Sequence, residues 1–142
     1  MELKDITVVI ATFKSDNKIY TCLDSIPKGI RIFVVENSNN QKFKDQLTSK
    51  YSNVECILLG ENKGYSFANN IGLSKVSSRF ALVLNPDTKL NKESIDNFFT
   101  SAKKFPDFWL IGPGNQNSNT ENLKKNKIFE VANIKGFAMF FN

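Results

Sequence analysis

The chain has 142 residues, 41% of them hydrophobic and 23% charged, enough for one domain around one sizeable core and too apolar for general disorder. Its formal charge of +5 comes from scattered lysines, a weak pull toward anionic partners without the basic block that would track nucleic acid. Histidine is absent, which excludes Ser-His-Asp and Cys-His catalysis, His-ligated zinc and a histidine general base, so any chemistry must rest on carboxylates, an oxygen-held metal or backbone amides.

The first fourteen residues, MELKDITVVIATFK, carry an apolar run too short, and too soon broken by Thr12 and Lys14, for a signal peptide or a membrane span. That run, Ile6 to Ala11, reads as a strand. Asp16 is placed to cap a following helix with apolar positions Ile19, Leu23 and Ile26, ended by Pro27. A second strand is expected over Ile30 to Val35, then a helix with Phe43, Leu47 and Tyr51 four apart. A third strand over Val54 to Leu59 precedes a helix marked by Phe67 and Ile71, with Ser66 available as its cap. The fourth strand, Phe80 to Leu84, leads through a turn to a helix starting near Asn91. In that helix Ile95, Phe98, Phe99 and Ala102 follow the i, i+3, i+4, i+7 spacing, and Pro106 ends it.

Beyond Trp109, Gly112-Pro113-Gly114 predicts a turn and residues 115–127 a polar surface loop, followed by apolar runs over 128–131 and 134–141 suited to a hairpin or to strands added to the sheet. The last run, Gly136 to Phe141, is too apolar for a free tail and should pair with the sheet or with a continuation of the protein. The four early runs are nearly continuous in apolar residues rather than alternating, the pattern of parallel strands buried on both faces. Their alternation with helices predicts one α/β domain over 1–142, a mostly parallel sheet with helices on both faces. Cys22 and Cys56 stand alone in apolar surroundings and read as buried free thiols, in keeping with a reducing cytoplasm.

Open α/β sheets bind ligands at the carboxyl ends of their strands. Here those ends carry Thr12-Phe13, Glu36-Asn37-Ser38, Gly60-Glu61-Asn62-Lys63-Gly64 and Asn85-Pro86-Asp87-Thr88. Any one of these is ordinary turn chemistry; four along one edge make a candidate site. Asp87, fixed after a buried strand, is suited to a hard cation such as Mg²⁺, which takes one or two carboxylates and completes its shell with substrate phosphates. The alternative for that residue is an Asx-type turn.

The ordered set resembles family 2 glycosyltransferases over nearly the entire chain: ITVVIATFK, IFVVENSNN, ENKGYSFANNIGL, ALVLNPDT and IKGFAMFFN are similar to successive motifs of that family. The Asn-Pro-Asp form is similar to the rhamnosyltransferase-like subgroup. The resemblance implies a Rossmann-like, glycosyltransferase A-type fold. It also implies metal-dependent, inverting transfer from a nucleoside diphosphate sugar (dTDP- or UDP-linked) to a glycan or lipid-linked glycan in polysaccharide biosynthesis. On it, Thr12 and Phe13 line the nucleoside pocket, and Glu36 stands where the family usually has an Asp that bonds base or ribose. Asn62, Gly64 and Asn70 shape the ribose and phosphate region, Asp87 ligates Mg²⁺ or Mn²⁺, and Asn85 stands beside it as a neutral group. A cytoplasmic location is implied, with association at the inner face of the cytoplasmic membrane left open.

Lys14 departs from the Asn or Arg usual after the Thr-aromatic pair. The family's Glu-Asp pair, which supplies the general base, has no counterpart, because Glu121 and Glu130 are the only acids after Asp107 and both read as surface charges. The expectation is therefore a C-terminally truncated donor-binding part that needs a partner segment. The alternative is a catalytically inactive nucleotide-sugar-binding module. A Rossmann oxidoreductase or a nucleotidyltransferase would want glycine in the first loop, and Ala11-Thr12-Phe13-Lys14-Ser15 has none.

Overall fold

A computed structural model describes residues 1–113 and 136–142. A short 3₁₀ turn over Leu3–Asp5 leads into β1 (Ile6–Thr12), followed by α1 (Ile19–Ser25), β2 (Arg31–Glu36), α2 (Gln41–Lys50) and β3 (Val54–Leu58). Then come α3 (Tyr65–Leu73), β4 (Phe80–Leu84), α4 (Ser94–Lys104), β5 (Leu110–Ile111) and β6 (Ala138–Phe141). The sheet order is β3-β2-β1-β4-β6-β5. The first four strands are mutually parallel, and β6 enters antiparallel between β4 and β5. Because β1 has β2 on one side and β4 on the other, the order reverses beside β1.

Every residue of β1 and β4 is buried, as their continuous apolar runs predict. Alternate residues divide between two faces. Ile6, Val8 and Ile10 join Phe80, Leu82 and Leu84 on the face covered by α1, α2 and α4. Val9, Phe33, Val83, Ala11 and Val35 lie on the other, where α3 supplies Ala68, Ile71 and Leu73. On α4 the four residues of the helical template, Ile95, Phe98, Phe99 and Ala102, are all buried. Phe140 of β6 packs among Phe80, Phe98, Phe99 and Phe108, with ring centroids 5.0 to 6.4 Å apart. The final apolar run therefore finds its partner in the sheet.

Several local expectations are corrected. Asp16 does not cap α1: residues 16–18 form a turn in which Lys18 N donates to Ser15 O at 2.9 Å, and Lys18 is the N-cap. Ser66 lies inside α3, whose N-cap is Gly64 at φ 88°, a left-handed conformation that favours glycine. Phe67 does not mark the buried face of α3. It is 44% exposed, while Ala68, Asn69 and Gly72 face inward. A Cβ on Gly72 would stand 2.4 Å from Val9 Cγ1, so α3 meets the sheet through its smallest residues and the bulkier Phe67 turns out. The last helix begins at Ser94 rather than Asn91, whose side chain accepts from Glu93 N and from the Ser94 hydroxyl ahead of it. The loop and strand expected over 115–127 and 128–131 lie outside the described residues.

Candidate nucleotide-sugar site

Two clefts open along the carboxyl edge of the parallel strands. One, of about 660 Å³, is lined by Ala11, Tyr65, Asn85, Pro86, Asp87 and Phe137, among others. It lies between the ends of β1 and β4, where the strand order reverses, the place at which doubly wound sheets take ligands. The other, about 620 Å³, is lined by Phe13, Lys14, Asp16, Glu36, Ser38 and Asn40, among others. Ser15 and Lys18 line both, so the clefts flank the β1–α1 loop.

Glu36 is 1% exposed, deep at the floor of the second cleft. A carboxyl group buried there needs hydrogen-bond partners. The Thr12 hydroxyl donates to Glu36 Oε2 and the Ser38 hydroxyl to Oε1 at 2.6 Å, so Thr12, itself buried, supports Glu36 and lines neither cleft. Phe13 lines the second cleft and is 42% exposed, with the Lys14 ammonium 5.2 Å from its ring centroid. Asn62 accepts from Gly64 N at 3.0 Å, an Asx turn that shapes the entry to α3. Asn70 is exposed on α3, and neither it, Asn62 nor Gly64 lines either cleft. Asn37, buried, accepts from Lys63 N at 3.2 Å and ties the β3–α3 loop to the end of β2.

Asn85 and Asp87 share the first cleft on a turn closed by Thr88 N donating to Asn85 O at 3.0 Å. From below, α1 holds the segment: the Ser25 hydroxyl accepts from Leu90 N at 3.0 Å, and the Cys22 thiol approaches Asn85 O at 3.7 Å. Burial, and then the nearby Asp87 charge, push the Cys22 thiol up to about 12. From the β6 side, Phe137 O accepts from Asn85 N and from the Thr88 hydroxyl, each at 3.0 Å. Tyr65, Gly136, Phe137 and Lys18 complete the cleft and were not among the predicted site residues. Tyr65 sat in a recognised motif, but nothing in the spacing tells that its hydroxyl reaches Asn85, in the turn after β4.

Among the described residues no three His, Cys, Asp or Glu side chains gather to share a metal. Asp87, exposed in its cleft, offers hard carboxylate oxygen. This fits a Mg²⁺- or Mn²⁺-like ion only if phosphates, water or neutral oxygens fill the rest of the shell.

A sheet reversing beside β1, with clefts on that edge, defines a doubly wound α/β protein with its candidate ligand site at the reversal point. Residues 7–141 match the family model described as Glycosyl transferase family 2, and the chain belongs to that family. It is 31% identical over 102 residues to the low-salt glycan biosynthesis hexosyltransferase Agl10 of Haloferax volcanii, covering 69% of this chain and 33% of that protein. Against glycosyltransferase GlyA of Streptococcus pneumoniae the identity is 27% over 107 residues, covering 70% and 15%. The chain thus spans a third or less of these curated relatives. Among solved structures, S. aureus TarS 1-349 in complex with UDP-GlcNAc matches with a TM-score of 0.60 at 24% identity, covering 70% of this chain and 31% of that one. The mannosyltransferase PcManGT from Pyrobaculum calidifontis, in complex with GDP-Man and Mn²⁺, matches with a TM-score of 0.70 at 12% identity, covering 96% and 44%. At these identities the likeness speaks to the fold, the GT-A glycosyltransferase type, of which the chain covers part. No helix among the described residues is long and apolar enough to cross a membrane.

Proposed function

We propose that this chain is the donor-binding part of a metal-dependent, inverting glycosyltransferase acting on a nucleoside diphosphate sugar. The observation that carries the reading is the pair of clefts joined through Ser15 and Lys18, with Glu36 at the floor of one and Asp87 in the other. The nucleoside takes the Glu36 cleft, with Phe13 packing against it, and the sugar diphosphate crosses toward Asp87. Mg²⁺ or Mn²⁺ bound there would neutralise charge on the departing diphosphate. In the transfer, an acceptor oxygen bonds the anomeric carbon while the bond from that carbon to the diphosphate oxygen breaks. The electron pair leaves with the nucleoside diphosphate, and the acceptor proton passes to a base.

That TarS and PcManGT are solved with UDP-GlcNAc and GDP-Man supports a nucleotide-sugar ligand, and the Mn²⁺ of the latter supports a divalent cation. The Asn-Pro-Asp form favours the rhamnosyltransferase-like subgroup, with a glycan or lipid-linked acceptor and work at the cytoplasmic membrane surface. A second reading, donor binding without transfer, is favoured by one observation: Asp87 is the sole acid among the described residues lining the first cleft.

Calorimetric titration with UDP, dTDP and GDP, with and without Mn²⁺, tests both. Binding that Mn²⁺ strengthens is expected. A folded chain that binds none of the three with metal present would refute the donor site. Sugar transfer in a screen of donors and acceptors separates the first reading from the second.

A further inference from the structure

The Tyr65 hydroxyl has two oxygens in reach, Asn85 Oδ1 at 3.0 Å and the Gly136 carbonyl at 3.1 Å. A phenol carries one proton, and neither a carbonyl nor an amide oxygen can supply another. That proton points to one of the two oxygens or is shared weakly between both, so at most one full hydrogen bond is made. The Gly136 carbonyl is fixed as an acceptor by the backbone, but the Asn85 amide is not, because its oxygen and nitrogen exchange places on a half-turn of the side chain. With that turn made, Asn85 Nδ2 donates to the phenol oxygen, the phenol donates to Gly136 O, and both contacts become hydrogen bonds. The consequence falls on the cleft, since Asn85 and Asp87 line it together. Once Nδ2 is held by Tyr65, Oδ1 is the amide atom left to the cleft.

We propose that Tyr65 is a positioning residue: held between the Gly136 carbonyl and the Asn85 amide nitrogen, its hydroxyl turns Asn85 Oδ1 toward the Asp87 side of the cleft. There it serves as a second oxygen for the cation that accompanies a donor diphosphate. This rests on the metal-assisted donor site proposed above. It answers the scarcity of acids there, because Mg²⁺ and Mn²⁺ accept neutral amide oxygens alongside a single carboxylate, and they do not accept an amide NH₂. An amide free to rotate would present its nitrogen to the cation part of the time. The hydroxyl removes that option.

The test is the effect of Mn²⁺ on affinity for whichever of UDP, dTDP and GDP binds tightest. In Tyr65→Phe, the gain in affinity from Mn²⁺ should fall by roughly three- to tenfold, the scale of one hydrogen bond. The effect is the ratio of the variant's own affinities with and without Mn²⁺, so any change in its metal-free affinity is divided out. Asn85→Asp is the informative companion, since a carboxylate presents oxygen whichever way it turns. In the Asn85→Asp background, adding Tyr65→Phe should change the Mn²⁺ effect less than about twofold. A merely structural tyrosine would cost the same in both backgrounds, and that result overturns the proposal. So does a full Mn²⁺ effect in Tyr65→Phe. Asn85→Leu reaches the same question without touching Tyr65: the Mn²⁺ effect should drop, and its survival shows that the oxygen is not used. If the unaltered chain binds nucleotide with no Mn²⁺ effect, the metal-assisted reading fails and this proposal with it. Success there with failure in the variants overturns this proposal alone.

Discussion

The two faces of the sheet are held by opposite devices. On one, α1, α2 and α4 fill space with large side chains, and Phe140 sits among four other rings. On the other, α3 works alone and holds by closeness, its Gly72 and Ala68 letting the helix backbone approach Val9, Ala11 and Val35. Volume tolerates small shifts, whereas closeness fixes position. The helix set by closeness is the one that carries Tyr65 to the Asp87 cleft, so the thinner face does the aligning.

The comparison breaks most visibly at Phe140. Phe140→Ala should lose about 3–5 kcal/mol, the usual range for emptying an aromatic core site, read from urea unfolding. High pH comes next, and it too acts on the filled face. Burial first of all lifts Cys22 and Cys56 to about 12 from an ordinary 9.0. Unfolded thiols ionise first as pH passes 9, so this stabilisation is intact below that point and drains away toward pH 12. The slope is up to about 1.4 kcal/mol per pH unit for each thiol. The Cys22→Ala, Cys56→Ala double variant should show a flatter decline of the urea midpoint with pH.

On the close-packed face, Gly72→Ala should cost about 1–3 kcal/mol through overpacking against Val9, despite alanine's better helix propensity. Val9→Ala should recover part of that loss in the double variant, a coupling absent if α3 simply rides outward. Arg31 shields the same face, its guanidinium 4.8 Å from the Phe33 ring centroid and 3.0 Å from Glu55, both groups exposed. Arg31→Ala should cost under about 1 kcal/mol. The smallest effect on stability belongs to the seam between the faces. Asp87→Asn should leave the urea midpoint within about 0.5 kcal/mol of the parent while removing the Mn²⁺ effect on nucleotide affinity.

Legibility in the sequence followed the same division. The strands and α4 could be read because burial by volume leaves a pattern of large apolar residues at fixed spacing. α3 could be located but not oriented. Ile71 does pack inward, but Phe67 turns out, and small residues at 68 and 72, to which hydrophobic spacing is blind, set the closest contact. Asn69 was likewise not foreseen as buried, and among the described residues neither of its side-chain polar atoms has a partner. The places of Asp87 and Glu36 at the two clefts were legible because both follow or end buried strands, and the clefts open at that edge. Thr12 was placed correctly at an end but in a different task, supporting Glu36 from beneath. The reach of Tyr65 to Asn85, and of Phe137 back to the same turn, are contacts across the sheet that no local pattern encodes.

One of those contacts bears on synthesis. Asn85 N and the Thr88 hydroxyl both donate to the carbonyl of Phe137, about fifty residues further along. The parallel strands, β1 to β4, are all made before Phe137 is, yet the turn bearing Asp87 lacks those bonds, and the core lacks Phe140, until the β6 segment clears the ribosome. On a growing chain the closing of the Asp87 turn and the filling of the core by Phe140 therefore come late and together. A nascent protein stalled short of residue 137 should lack both.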